Sequence, residues 1–178
     1  MSTLRLSRIV RAMALMVLVT TMPSLTTAQT GDGPVGGHRT SGAHQAQLWH
    51  DGDPGQRLHL RARVVADDGN PVAGAEVRLW QADGAGRYRE ARYRAQLITD
   101  GDGEFSVITA VPGQYRRAKH IHYVVGHPDH RSLTSRILFK GDPHLRPGDE
   151  ALAIPLEEIR TNGAIVMVGD AELVLESR

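Results

Sequence analysis

The chain has 178 residues, with 21 Lys and Arg against 20 Asp and Glu, nine His and no Cys, for a formal net charge of +1 at pH 7. That length favours one domain plus extensions. The lack of cysteine excludes disulfides, thiolate metal sites and cysteine nucleophiles, and the balanced charge leaves no basic field for nucleic acid.

In chain order, Arg5, Arg8 and Arg11 precede an apolar run from Ala12 to Met22, and small residues follow up to Ala28. This is the order of a secretory signal peptide over residues 1–28, cleaved after Ala28. The apolar run is shorter than the ~20 residues a bilayer-spanning helix needs. The expectation is therefore a secreted or periplasmic protein with no membrane anchor after cleavage. Residues 29–56, rich in Gly and polar side chains, read as a flexible lead-in that contains His38, His44 and His50.

Residues 57–178 read as one all-β domain. In "LHLRARV", Leu58, Leu60, Ala62 and Val64 alternate with polar residues, the period of a half-buried strand. "DDGNPVAG" is turn chemistry, and "AEVRLW" alternates again. After the turn "DGDGE" come strands at "FSVITAV", "HIHYVV" and "LTSRILF", then "AIVMVG" and "AELVLES" near the end. The one helix-like stretch is "LEEIR", residues 156–160. Six or more short strands separated by turn signals predict a β-sandwich with little helix.

Within "PGQYRRAKHIHYVV", His120 and His122 are two apart on a predicted strand, so both imidazoles project from one face, ~7 Å apart along the chain. Such a pair suits a metal ion, a general base, or simply the wet face of a sheet. His127, Asp129 and His130 follow closely and make a zinc or copper histidine cluster an alternative, against a surface turn at "GHPDH".

Several ordered motifs extend this pattern. They are Trp80-Gln81-Ala82-Asp83, Gly86-Arg87-Tyr88, Thr99-Asp100-Gly101-Asp102-Gly103, Pro112-Gly113-Gln114-Tyr115, His120-Ile121-His122 and Leu133-Thr134-Ser135-Arg136-Ile137-Leu138-Phe139. Together, from about Leu58 to Pro143, they resemble the intradiol ring-cleavage dioxygenases, the catechol and protocatechuate dioxygenase family, in a short secreted form. The resemblance implies a β-sandwich of that type and a non-haem Fe(III) cofactor bound by Tyr88, Tyr115, His120 and His122. It implies a small aromatic diol and O2 as substrates, with the ring cleaved between its two hydroxylated carbons. It also gives Tyr115 a catalytic role as the ligand that substrate displaces, and places Arg117 beside the substrate ring.

The donor chemistry agrees with that implication. Two phenolates and two imidazoles form a hard, anionic set suited to Fe(III), and a bound trication lowers a phenol pKa from its usual ~10. Tyr93, five residues after Tyr88, is an alternative second tyrosine, although its register suggests packing. Lys119 stands immediately before His120, where the family has a small residue or proline. The sequence is compatible with a homo-oligomer. A non-enzymatic rival is a secreted transthyretin-like or carboxypeptidase-regulatory-like binding module, which shares the strand–turn–strand pattern of "DDGNPVAGAEVRLW".

Overall fold

A computed structural model describes residues 43–89 and 92–178. The expected signal peptide and the first part of the lead-in lie outside the described residues. Ten strands build the domain: β1 (Gln45–Gln47), β2 (Arg57–Ala66), β3 (Glu76–Gln81), β4 (Arg94–Ile98), β5 (Glu104–Ala110), β6 (His120–Gly126), β7 (Leu133–Phe139), β8 (Ala153–Ile154), β9 (Glu157–Thr161) and β10 (Ala164–Leu175). They form two five-stranded sheets, ordered β1-β5-β2-β10-β9 and β4-β3-β6-β7-β8.

The alternation read in "LHLRARV" is realised directly. Leu58, Leu60, Ala62 and Val64 are buried while His59, Arg61 and Arg63 face solvent. Their apolar side chains meet Val77, Leu79, Leu97, Ile121, Tyr123 and Val125 of the second sheet in one core, which Phe105, Val107, Leu173 and Leu175 complete. Two apolar inner faces packed together are the arrangement expected of a sandwich.

Three readings are corrected. The stretch 156–160 is not helical. Residues 157–161 form β9, antiparallel to β10 in the register Thr161↔Ala164 to Glu157↔Val168. Asn162 and Gly163 both have positive φ, 48° and 76°, the conformation of a tight hairpin turn, and that turn overrides the local helical pattern. The only helical turn among the described residues is the 3-10 turn Asp149–Ala151.

The two C-terminal strands are one. β10 runs through Gly169 and Asp170, pairing first with β9 and along its whole second part in parallel with β2. Order also begins before Leu58. β1 lies inside the stretch read as a flexible lead-in and pairs in parallel with β5, Gln45↔Ser106 to Gln47↔Ile108. Leu48 just beyond it is buried in the core.

Along β6, Ile121, Tyr123 and Val125 point into the core, which leaves His120 and His122 on the outer face of the second sheet. A small second cluster of Ala118, Leu138 and Ala153, with Leu145 packed against it, backs that face beside His120.

Candidate metal centre

Two loops and one strand bring the four expected residues together. Tyr88 lies in the connection between β3 and β4, Tyr115 lies in the loop between β5 and β6, and the two histidines open β6. The Tyr88 and Tyr115 hydroxyls are 3.1 Å apart. His120 Nε2 lies 3.1 Å from the Tyr115 hydroxyl, 3.5 Å from that of Tyr88 and 2.9 Å from His122 Nε2. Four oxygen and nitrogen atoms therefore converge on one point.

The geometry also selects a tautomer. His120 Nδ1 is 2.7 Å from the Ala118 carbonyl oxygen. A carbonyl only accepts, so Nδ1 carries the proton and the Nε2 lone pair faces the tyrosines. The His122 ring is held by stacking on Trp80, its cross-strand partner, with centroids 5.0 Å apart and planes 9° from parallel.

Electrostatics keep both rings neutral. Burial, the His120 ring, Arg136 and Arg117 pull the His122 pKa down to about 4. Burial, Arg136 and Arg117 likewise lower His120, against the opposing pull of the Ala118 carbonyl. The Tyr88 phenol is shifted the other way, above its ordinary 10, first by loss of hydration and then by the neighbouring Tyr115. Neutral imidazoles are ready-made ligands, whereas a phenol so shifted becomes a phenolate only beside a strong positive charge.

The tyrosine loops are fixed to one another by Asp83, whose side chain is buried. Its Oδ1 accepts from the N–H groups of Ala85 and Arg87, and its Oδ2 from Arg89 Nε. Its carbonyl accepts from the Gly86 and Gly113 N–H groups, both at 2.9 Å, so one residue ties the Tyr88 loop to the Tyr115 loop. Next to it, the buried Gln81 side chain donates to the Ala110 carbonyl at 2.7 Å and accepts from the Thr109 hydroxyl at 3.2 Å.

The remaining expectations separate cleanly. Arg117 is exposed near the site, and its charge acts on Tyr88 and both histidines. The Lys119 N–H is held by the Asp142 carboxylate at 3.0 Å. Tyr93 is away from the cluster and 2% exposed, with φ 57° and a hydroxyl that has no hydrogen-bond partner among the described residues. It packs beside the ion pair between the Asp53 carboxylate, itself shielded from solvent, and the exposed Arg92, whose guanidinium lies over its ring.

His127 and His130 contact each other, Nδ1 to Nδ1 3.1 Å, beyond the far end of β6. Five residues of extended strand put His127 roughly 16 Å along from His122. Among the described residues no group of three or more His, Cys, Asp or Glu is placed to hold a metal ion, so the histidines do not pool into one zinc or copper site.

Sequence reasoning gave no part to Asp83, to Trp80 as the support of His122, or to Arg136. All three lie inside motifs quoted above. Arg136 faces His122 only through the β6–β7 register. A cavity of about 450 Å3 lies elsewhere, against β2, β5 and β10 of the first sheet, where Arg61 and Asp170 already neutralise each other.

A β-sandwich that presents two tyrosines and a His-x-His strand at one point defines a class, and the chain belongs to the intradiol ring-cleavage dioxygenase family. It matches the family described as Dioxygenase over residues 32–162. It is 34% identical over 147 residues to catechol 1,2-dioxygenase 2 of Acinetobacter lwoffii, covering 67% of this chain and 53% of that protein. It is 32% identical over 117 residues to the protocatechuate 3,4-dioxygenase beta chain of Burkholderia cepacia, covering 53% and 50%. The chain thus spans about half the length of these relatives.

Among solved structures, the 3-chlorocatechol 1,2-dioxygenase of Rhodococcus opacus 1CP shares the fold, with TM-score 0.68, 22% identity and coverage of 81% and 71%. The dioxygenase domain of a dioxygenase–carbohydrate-binding protein fusion from Streptomyces sp. SirexAA-E aligns over 80% of this chain and 94% of that one, with TM-score 0.63 and 26% identity.

Proposed function

We propose that this protein is an exported non-haem Fe(III) dioxygenase that cleaves an aromatic ortho-diol between its two hydroxylated carbons with O2. The observation that carries the reading is the convergence of the Tyr88 and Tyr115 hydroxyls with His120 Nε2 and His122 Nε2, within 2.9–3.5 Å. Those four residues would hold the iron, and their donors suit it. Two oxygens become anionic beside a trication, while two imidazoles are kept neutral by their surroundings. Bound there, ferric iron would supply Lewis acidity toward the diol oxygens and accept the electron density that opens the ring to O2.

The chain's own residues do the rest. The Ala118 carbonyl orients His120, and Trp80 fixes the plane of His122. The Tyr115 oxygen, 3.1 Å from both the Tyr88 hydroxyl and His120 Nε2, would be a phenolate with the metal bound and would take up the proton that a diol hydroxyl gives up as it binds. Arg117, exposed beside the cluster, balances negative charge on the ring. Export rests on the signal-like order of residues 1–28, and a mature protein beginning at Gln29 is its direct check.

Iron reconstitution tests the central reading. The expected result is about one iron per chain, a visible tyrosinate-to-iron band, and oxygen uptake with catechol or hydroxyquinol that yields a muconate-type diacid. Stoichiometric zinc or copper with negligible iron overturns it. A colourless protein that binds no metal leaves the non-enzymatic binding module in its place.

A further inference from the structure

β9 is the outermost strand of the first sheet, paired with β10 on one side and with nothing on the other among the described residues. All of its residues, Glu157 to Thr161, are exposed. The Asn162–Gly163 turn makes Thr161 and Ala164 the first hydrogen-bonded pair of the hairpin. Pair types then alternate, so Glu157, Ile159 and Thr161 direct their backbone groups to β10. The N–H and C=O groups of Glu158 and Arg160 point the other way, to the open edge.

Open edges are ordinarily blunted by proline, by a bulge or by charges that repel a second edge. β9 has neither proline nor bulge, and its register against β10 runs unbroken from Glu157 to Thr161. The two residues whose backbone faces the edge carry opposite charges. Within one chain they make only a loose contact, Arg160 to Glu158 at 3.8 Å, with both side chains at least half exposed.

A second copy of β9, laid antiparallel about a two-fold axis through Ile159, satisfies this edge. Glu158 then stands opposite Arg160 of the second copy, and Arg160 opposite its Glu158, as hydrogen-bonded pairs that use every outward backbone group of the two residues. Ile159 meets its own counterpart as a non-hydrogen-bonded pair, the type with the closest side chains, at about 4.5 Å between Cα atoms. Ile159 is 45% exposed in the single chain, and Val166 stands beside it on β10. Their apolar row would therefore run on into the same row of the second copy. Competing registers fail. A slip of one residue opposes outward backbone groups to inward ones. Moving the axis to Glu158 or to Arg160 sets like charges directly opposite, which opposes pairing.

We propose that β9 is a homodimerisation edge, through which two copies of this chain join their first sheets by the Glu158–Arg160 pairs about Ile159. The contact is short, below the standard size of a stable interface, so the dimer is weak and concentration-dependent. A two-fold contact uses the edge up, and association stops at two chains. The metal centre takes no part, so this pairing stands or falls apart from the ring-cleavage reading.

Sedimentation equilibrium of the purified protein from ~5 µM to ~1 mM tests it. The wild type is expected to rise from the mass of one chain toward that of two and no further, less steeply at high salt. Arg160→Glu and Glu158→Arg, each shown to be folded by its thermal transition, put like charges opposite each other. Each alone should weaken self-association by at least ~10-fold. Mixed one to one, the two variants again oppose a positive to a negative residue at both pairs, and a mixed dimer should form. Recovery on mixing is a result that a misfolded variant cannot give.

A wild type that stays monomeric throughout overturns the proposal and leaves the edge to solvent or to a strand of another protein. So does a dimer indifferent to both substitutions, growth beyond two chains, or a mixture no more associated than its parts.

Discussion

Gly86 and Gly113 lie backbone against backbone. A Cβ placed on Gly113 would come 2.2 Å from Gly86 N, and one placed on Gly86 would come 2.7 Å from the Gln114 carbonyl oxygen. Gly86 also has φ 78°, where a side chain is strained. The loops that carry Tyr88 and Tyr115 close on each other only because both residues lack side chains. The 3.1 Å between the two phenol oxygens is a consequence of this contact and of the Asp83 carbonyl that bonds to both N–H groups.

Gly113→Ala should therefore open the centre without touching a ligand. The added methyl meets backbone on two sides, Gly86 N at 2.2 Å and Gly84 O at 2.4 Å, and neither can rotate away. The expected outcome is loss of most bound iron, with destabilisation of about 1–3 kcal/mol. Iron content and a denaturant midpoint measured on the same sample check it. A Gly113→Ala protein with full iron loading would show that the loops are not clamped at this point.

The two candidate second tyrosines are separated by position. Tyr115→Phe removes one of four converging polar atoms and should shift or abolish the visible band and lower turnover. Tyr93→Phe removes a buried hydroxyl that lies near the Asp53 carboxylate and makes no close hydrogen bond among the described residues. It should leave the band in place and change stability by no more than ~1 kcal/mol. Absorbance spectra and thermal unfolding of the two variants decide the matter. A band lost in the Tyr93 variant and kept in the Tyr115 variant would reassign the ligand.

Strand periodicity made much of this arrangement legible in advance. Leu58, Leu60, Ala62 and Val64 face the core because alternation is a local property, and the His-x-His pair shares a face for the same reason. The segment 156–160 misled because Leu156 and Ile159, three apart among charged residues, imitate one face of a helix. Pairing of Glu157–Thr161 with the following strand is a tertiary choice set by the Asn162–Gly163 turn. β1 was hidden because Gln45, Ala46 and Gln47 carry no apolar alternation and join the sheet through their backbone. At the site, the approach of Tyr88 to Tyr115 depends on contacts between loops 27 residues apart. It was therefore legible only through the order of several motifs. The place of Arg136 beside His122 depends on the β6–β7 register, which no single stretch of sequence displays.

Gln81 links the sheets immediately beneath the tyrosine loops. Its side chain is 3% exposed, donates to the Ala110 and Ala82 carbonyls and accepts from the Thr109 hydroxyl. Gln81→Leu keeps the approximate volume but strands a buried hydroxyl and two carbonyls. The expected cost is about 2 kcal/mol, seen as a fall in Tm of several degrees. Because Ala82 and Val111 lead directly into the two loops, iron affinity should fall with it. A variant as stable as the wild type would mean that another donor takes over the Ala110 carbonyl.

Asp83 makes the fold acid-sensitive in a defined direction. Burial alone would raise its pKa, but the Arg87 N–H, the Arg89 guanidinium, the Ala85 N–H and the Arg87 charge outweigh burial and hold it below the ordinary 3.8. A carboxyl with a depressed folded pKa contributes stability that is fully present above its unfolded value. That contribution is lost as pH falls through the folded one, because the unfolded chain binds the proton first. Asp53, held low beside Arg92 and the His50 N–H, acts in the same sense. Metal-free protein should accordingly lose stability below about pH 4, the range of an ordinary carboxyl. Asp83→Asn should be less stable than the wild type at pH 7, by about 2 kcal/mol for the lost charge-assisted bonds to Arg87 and Arg89. The gap between the two proteins should then narrow as pH drops below 4, since the wild type loses through protonation what the variant never had. Urea midpoints from pH 7 to pH 2.5 read this directly. A gap that stays constant over the whole range would remove Asp83 as the source of the acid dependence and leave Asp53 to be tested by the same substitution.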